Sequence, residues 1–233
     1  MKETTPKWHM FFLYFLCIGI IFIIPILYCR TATTVSANTV IYPCVIIDAG
    51  HGGIDGGAIS CTGVYESHIN LQISQRLCDI FHLIGIQTKM IRNTDTSVYT
   101  EGESIAAKKI SDLKERVRIA NNTPGAIYLS VHQNSYPNAV YHGAQVFYNK
   151  QSGSKELAEA IQFGLRNHLN PDNKRQCKQT SGIYLMEHIN CCGVLIECGF
   201  LSNPTEEAKL RDEAYQKQVA CVIATCTSQY LNT

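Results

Sequence analysis

The run Val45-Ile46-Ile47-Asp48-Ala49 stops abruptly in Gly50-His51-Gly52-Gly53, and few folds accommodate that juncture. β-branched residues favour an extended, buried strand, and glycines then supply backbone angles that other residues avoid. His51 is thereby set on a tight turn at the carboxyl end of a strand. In open α/β sheets ligands bind at that edge. A histidine held there among glycines is shaped for a ligand or a metal; a turn histidine with no task is the plainer alternative.

The rest of the chain alternates in a way that suits such a sheet. After strand 45–49, residues 66–84 place Ile69, Ile73, Leu77, Ile80, Phe81 and Ile84 on one helical face, and Gly85 stands where a helix ends. Strand 86–91, a polar loop over 93–110 and a helix over 111–121 follow. Strands 126–131 and 144–148 come next, then a helix from Ser152 or Ser154 to Leu169 and a polar loop over 170–181. Short strands over 183–186 and 194–198 precede a final helix. Asn203-Pro204-Thr205-Glu206 opens that helix with a cap, a proline at its first turn and a glutamate. Strands alternating with helices predict a single α/β domain: a central, mostly parallel mixed sheet covered by helices on both faces. No internal repeat or second domain is visible.

Residues 10–28 carry no charge, and a helix of that length rises about 28 Å, close to the thickness of a bilayer core. Lys2 and Lys7 precede it, which favours a cytoplasmic N-terminus. The segment therefore reads as a transmembrane anchor, with the domain outside the cytoplasm. A cleaved signal peptide is the rival, although Val35-Ser36-Ala37 lies far beyond the apolar stretch. The predicted organisation is thus an anchor region over 1–30, a linker over 31–43 and a domain over 44–233. Lys and Arg (20) nearly balance Asp and Glu (19), so no basic face is available for nucleic acid. Eleven irregularly spaced cysteines without a C-x-x-C do not form a disulfide framework. Free thiols are expected, with Cys78, Cys221 and Cys226 as small core residues of helices.

Four polar residues fall where the pattern predicts strand or helix ends. His51 follows the first strand, Glu66 opens the first long helix, His132 ends strand 126–131 and Glu197 ends strand 194–198. Parallel neighbouring strands would bring them to one rim. Two imidazoles and a carboxylate form a common catalytic zinc set that leaves a position open, and a further carboxylate can move protons. Each residue also has a bland reading. Glu66 could simply cap its helix, and His132 could bond to backbone. Glu197 is harder to explain away, because it follows Val-Leu-Ile directly and burying an unpaired charge is costly.

These residues lie in motifs that resemble the zinc-dependent N-acetylmuramoyl-L-alanine amidases of bacterial cell walls. Asp48-Ala49-Gly50-His51-Gly52-Gly53 with Asp55, Gly57 and Ala58 looks like that family's opening metal motif. Glu66 with Asn70-Leu71 looks like its second-ligand helix. Arg92 with Asp95, Leu113 with Arg116-Val117, and Ala120-Asn121 look like its middle section. Ser130-Val131-His132 with Asn134 looks like the third-ligand segment. Residues Val194 to Asn203 look like the closing motif. The resemblance runs from Val45 to the C-terminus. It implies that His51, Glu66 and His132 bind Zn²⁺. It implies also that Glu197 takes a proton from the attacking water and returns it to the leaving amine. The bond cut would be the amide joining the lactyl group of N-acetylmuramic acid to L-alanine in peptidoglycan.

The anchor, brief linker and catalytic domain, with Ser111-Asp112-Leu113-Lys114-Glu115-Arg116, further resemble the spore-cortex, germination-specific amidases. That subgroup prepares cortex muramic acid for conversion to muramic-δ-lactam. Some residues depart from the family pattern: Gln133 stands where a small residue is common, and Glu187-His188 and Cys191-Cys192 are unusual. Two other functions compete: an inactive wall-binding or partner-docking module, and a thiol amidase using Cys198 or Cys192 with His188. Loop 93–110 and turn 190–193 are long and polar enough to receive a protein activator or form a lid.

Overall fold

The computed structural model describes residues 43–232. The apolar segment 10–28 and the possible cleavage site near Ala37 lie outside the described residues. Among the described residues, no helix is long and apolar enough to cross a membrane.

Six strands form one sheet. They are β1 (Val45–Ala49), β2 (Thr88–Met90), β3 (Ile127–Asn134), β4 (Gln145–Tyr148), β5 (Lys178–Gln179) and β6 (Cys192–Phe200), in the spatial order β2-β1-β3-β6-β4-β5. β2, β1, β3 and β6 are mutually parallel. β4 runs antiparallel to β6 and carries β5 parallel to itself, so the sheet is mixed and mostly parallel, as the alternation implied. The helices are α1 (Glu66–Leu83), α2 (Ile105–Asn121), α3 (Ser154–Leu169), α4 (Tyr184–His188), α5 (Pro204–Arg211) and α6 (Glu213–Leu231).

Strand periodicity divides the core in two. Val45, Ile47, Leu129, Val131, Val194 and Ile196 face α1, α3 and α6, meeting Ile73, Leu77, Leu157, Ile161 and Ile223. Ile46, Tyr128 and Leu195 point to the other side, against Ala120 of α2 and Leu185 and Met186 of α4. The central strands are buried on both faces, which is why they read as continuous apolar runs rather than alternating ones.

The structure differs from the sequence reading at several elements. Residues 183–186, expected as a short strand, instead lead into the helix α4 (Tyr184–His188); an apolar run this short has no resolvable period. α2 begins six residues before the expected start at 111. Ser104 caps it by accepting from the Ala107 amide at 3.1 Å, while its first turns expose Ile105 and Ile110 and so carry no apolar stripe. The final helix is two, broken at Asp212, whose carboxylate caps α6 through the Tyr215 amide at 2.9 Å. β3 and β6 continue past His132 and Glu197, so neither residue ends its strand. The nine described cysteines are free; Cys226 is buried and Cys78 half-buried, but Cys221 is exposed rather than in the core.

Candidate metal centre

The parallel register carries the chain ends of β1, β3 and β6 to one edge. The Gly50 amide continues the β1–β3 ladder onto the Val131 carbonyl at 3.0 Å, and His51 then turns with φ 61°. That left-handed angle is uncommon outside glycine and costs strain that surrounding contacts must offset. Two buried arginines supply those contacts. Arg92 donates to the carbonyls of Ala49 (2.8 Å), Gly50 (3.0 Å) and Ser67 (2.8 Å). Arg116 donates to the carbonyls of Ala49 (3.1 Å) and His51 (2.8 Å) and pairs with Asp48, which also accepts from Ser130 Oγ at 2.7 Å. Both arginines occur in the motifs quoted above, but only the fold reveals that they clamp the turn.

His51, Glu66 and His132 converge, each offering a donor atom within 4.8 Å of the others. His51 Nε2 lies 3.3 Å from Glu66 Oε2, and His132 Nδ1 lies 3.0 Å from Glu66 Oε1. The two rings meet edge to face at 4.9 Å. Glu66 does not cap α1: Tyr65 occupies the cap position. Its carboxylate accepts instead from the Ala58 amide (3.0 Å), the Gln133 amide (3.1 Å) and Asn70 Nδ2 (3.1 Å). Gly50 leaves space that a Cβ would take from the His132 ring, and a Cβ on Gly57 would strike Glu66 and His51. His132 is thus not a histidine merely satisfied by backbone.

A second layer orients the donors. Asp55 Oδ2 holds His51 Nδ1 at 2.9 Å, while Lys109 Nζ approaches Asp55 Oδ1 at 2.8 Å. A carboxylate behind a ligating imidazole fixes its tautomer and raises its basicity. In the sequence, the signals for this were the place of Asp55 in the opening motif and its spacing four residues after His51. Burial alone would lower the pKa of His51, but Asp55 and Glu66 raise it to about 9. Burial likewise opposes the ionised form of Glu66, yet the two imidazoles hold that carboxyl well below the usual range. A field that favours a proton on this imidazole also favours a cation in its place. Two imidazole nitrogens and a carboxylate oxygen therefore fit a divalent ion of borderline softness with an open coordination position.

Glu197 lies beside this group in mid-sheet, its register partners being His132 on β3 and Gln145 on β4. The residue is mostly buried, and its Oε2 is shielded and has no hydrogen-bond partner among the described residues. Burial pushes its pKa up to about 7, with Glu66 adding to the rise and His132 and His51 opposing it. The structure thus brings together all four residues that the sequence singled out. It does not make nucleophiles of the thiol candidates. Cys192 starts β6 at the opposite end from Glu197, and burial pushes the Cys198 thiol far up. His188 stacks on Tyr184 at 3.9 Å, and its carbonyl accepts from Asn121. Asn121 closes α2 at the edge where β3 begins, remote from the candidate metal site.

A sequence profile of the N-acetylmuramoyl-L-alanine amidases matches residues 45–228. The germination-specific N-acetylmuramoyl-L-alanine amidase of Bacillus subtilis is 37% identical over 181 residues, covering 77% of this chain and 76% of the relative. The CwlD amidase of Clostridioides difficile, solved in complex with the GerS lipoprotein, superposes with a TM-score of 0.78 at 38% identity, over 82% of this chain and 98% of that one. The catalytic domain of CwlV, an N-acetylmuramoyl-L-alanine amidase from Bacillus (Paenibacillus) polymyxa, gives 0.67 at 29% identity, with 82% and 98% covered. A profile match across nearly the whole described domain, on a fold shared with solved members, leads to one conclusion: this chain belongs to the family of N-acetylmuramoyl-L-alanine amidases, hydrolases of peptidoglycan.

Proposed function

We propose that this chain is a zinc-dependent amidase of the spore-cortex type, with residues 44–233 as its catalytic domain. His51, Glu66 and His132 would hold the ion, and Glu197 would move the protons. When bound, the ion supplies Lewis acidity, polarising the scissile carbonyl and a water beside it. The chain does the rest. Asp55 and Asn70 keep the ligands in place, and the shielded Glu197 takes a proton from the attacking water. Burial raises its pKa to about 7, which suits a group that accepts a proton and then returns it to the leaving amine of L-alanine. A bound dication would draw that value down again. The observation that carries the reading is the partnerless Glu197 Oε2 next to three converging donor atoms.

The products would be a peptide with a free L-alanine amine and a muramic acid with a free lactyl carboxyl. The latter is the group needed to close a δ-lactam, in keeping with the germination-specific relative. The segment 10–28 would anchor the domain outside the cytoplasm, in a sporulating cell between the forespore membranes. A protein activator, as the GerS complex of the similar amidase suggests, would set when it acts. An inactive wall-binding module has no use for an intact donor set with a proton carrier beside it.

The test is Glu197→Gln in the full chain, with metal content and peptide release measured together. Metal should stay bound, while release of new L-alanine amines falls by at least about 100-fold. Unchanged release would overturn the role of Glu197. Full activity after the ion is stripped would overturn the metal reading.

A further inference from the structure

Residues 135–144 join β3 to β4 at the sheet edge that bears the candidate metal site. One root of this loop is His132 and Asn134 on β3; the other is Gln145, the register partner of Glu197. The loop is pinned along its length. The Leu201 amide donates to the Asn134 carbonyl (2.8 Å), and the Tyr136 amide to Ser202 Oγ (3.1 Å). Asn203 Nδ2 donates to the Ala139 carbonyl (2.8 Å), and the Gly143 amide to Glu206 Oε1 (2.9 Å).

On this rigid base the loop displays aromatic rings. Tyr136 and Tyr141 meet edge to face at 4.8 Å, and Tyr141 stacks at 6.4 Å on Phe200. The Arg175 guanidinium lies 4.7 Å from the Phe200 ring centre and donates to the His142 carbonyl (2.9 Å) and Gln145 Oε1 (3.1 Å). Phe200 and Arg175 make the floor. Tyr136 (52% exposed) and Tyr141 (43% exposed) stay open to solvent. Phe200 lies three residues beyond Glu197 along β6, past the register shift that sets Phe200 opposite Asn134 where Glu197 is opposite His132.

Exposed rings held rigid beside a reaction centre form a preformed platform rather than a loose surface patch. The scissile amide joins a sugar to a peptide, so a platform next to it faces one or the other. The flat C–H face of a pyranose packs on the electron-rich face of an aromatic ring, whereas a carboxylate-bearing peptide calls for free cations. The Arg175 guanidinium is already committed to Phe200, His142 and Gln145, and the exposed Lys174 beside it is the cation that a peptide carboxylate would meet, which leaves the two rings to the sugar. We propose that Tyr136 and Tyr141 form a saccharide subsite, which holds the sugar ring of the glycan strand next to the muramoyl residue being cleaved. The inference rests on the amidase reading above.

Calorimetric titration of the full chain with peptide-free glycan strands tests it without any cleavage. Tyr136→Ala with Tyr141→Ala should weaken glycan binding about tenfold or more, while the Tyr136→Phe, Tyr141→Phe pair, which keeps both rings, should bind like the parent. Tyr136→Ser alone serves if the double alanine variant does not fold. In kinetics, the alanine pair should raise KM for peptide-bearing strands about tenfold relative to KM for peptides bearing a single muramoyl residue. Equal glycan binding by parent and alanine variants would overturn the subsite, as would a parallel loss on both substrates. Should the parent release no peptide from either substrate, the amidase reading fails, yet the glycan titration still judges the subsite.

Discussion

The consequential residues are those that touch none of the chemistry directly. Asp55 is a half-exposed carboxylate whose contribution is to hold one nitrogen of His51, so that the other faces Glu66. Removing such an outer partner commonly costs 10- to 100-fold in metal affinity, and about that loss is expected for Asp55→Asn in a competition assay against a chelator. Tighter or unchanged binding would show that the imidazole is oriented by the turn alone. Gly50 matters for the opposite reason: its value is the side chain it lacks, because the His132 ring occupies the space of a Cβ.

At the scale of elements, the site depends on the junction of β1 with α2. Asp48 is fully buried and paired with Arg116, whose other donors hold the Ala49 and His51 carbonyls. Burial would raise the Asp48 pKa, but Arg116, His132 and the Ser130 hydroxyl more than offset it and hold the carboxyl below its ordinary range. A depressed folded-state pKa means that the unfolded chain binds the proton more readily. The pair's stabilisation is therefore complete above the unfolded carboxylate pKa of about 4, and it is lost as pH falls through the lower folded value. Asp48→Asn leaves a buried guanidinium without its partner, and urea unfolding at neutral pH should show a loss of about 3–5 kcal/mol. The difference from the parent should shrink below pH about 4. A difference that does not vary with pH would mean that the substitution acts through packing instead.

At the scale of the molecule, a bound ion would be linked to the fold. The three donors come from a turn, a helix start and a strand that lie far apart in the chain, so the unfolded chain has no such site. Any ligand that binds only the folded state stabilises it, by about 2.7 kcal/mol at a hundredfold excess over Kd. For a domain of this size that corresponds to roughly 5–10 °C in Tm. Adding zinc to chelator-treated protein should produce such a shift in calorimetry, and replacing His132 with alanine should abolish it. An equal shift in that variant would place the stabilising ion elsewhere.

Local chemistry made much of this legible in the sequence. Val45-Ile46-Ile47 before a glycine turn could only be a buried strand ending at an edge. The period of α1 and the Asn203 cap were plain, and the motifs carrying His51, Glu66, His132 and Glu197 pointed to an amidase. Short elements were not legible: residues 184–188 could be strand or helix until Leu185 and Met186 found the core beneath α2. Register was equally hidden. Glu197 faces His132 because β6 lies beside β3 and continues past it, and no pattern within either strand encodes which strand will be its neighbour. What the sequence alone determined is the set of donors and the elements bearing them, since propensity and burial act over a few residues. Tertiary structure decided their convergence, the arginine clamp on the His51 turn and the tyrosine platform, because each depends on contacts between segments that meet only when the sheet closes.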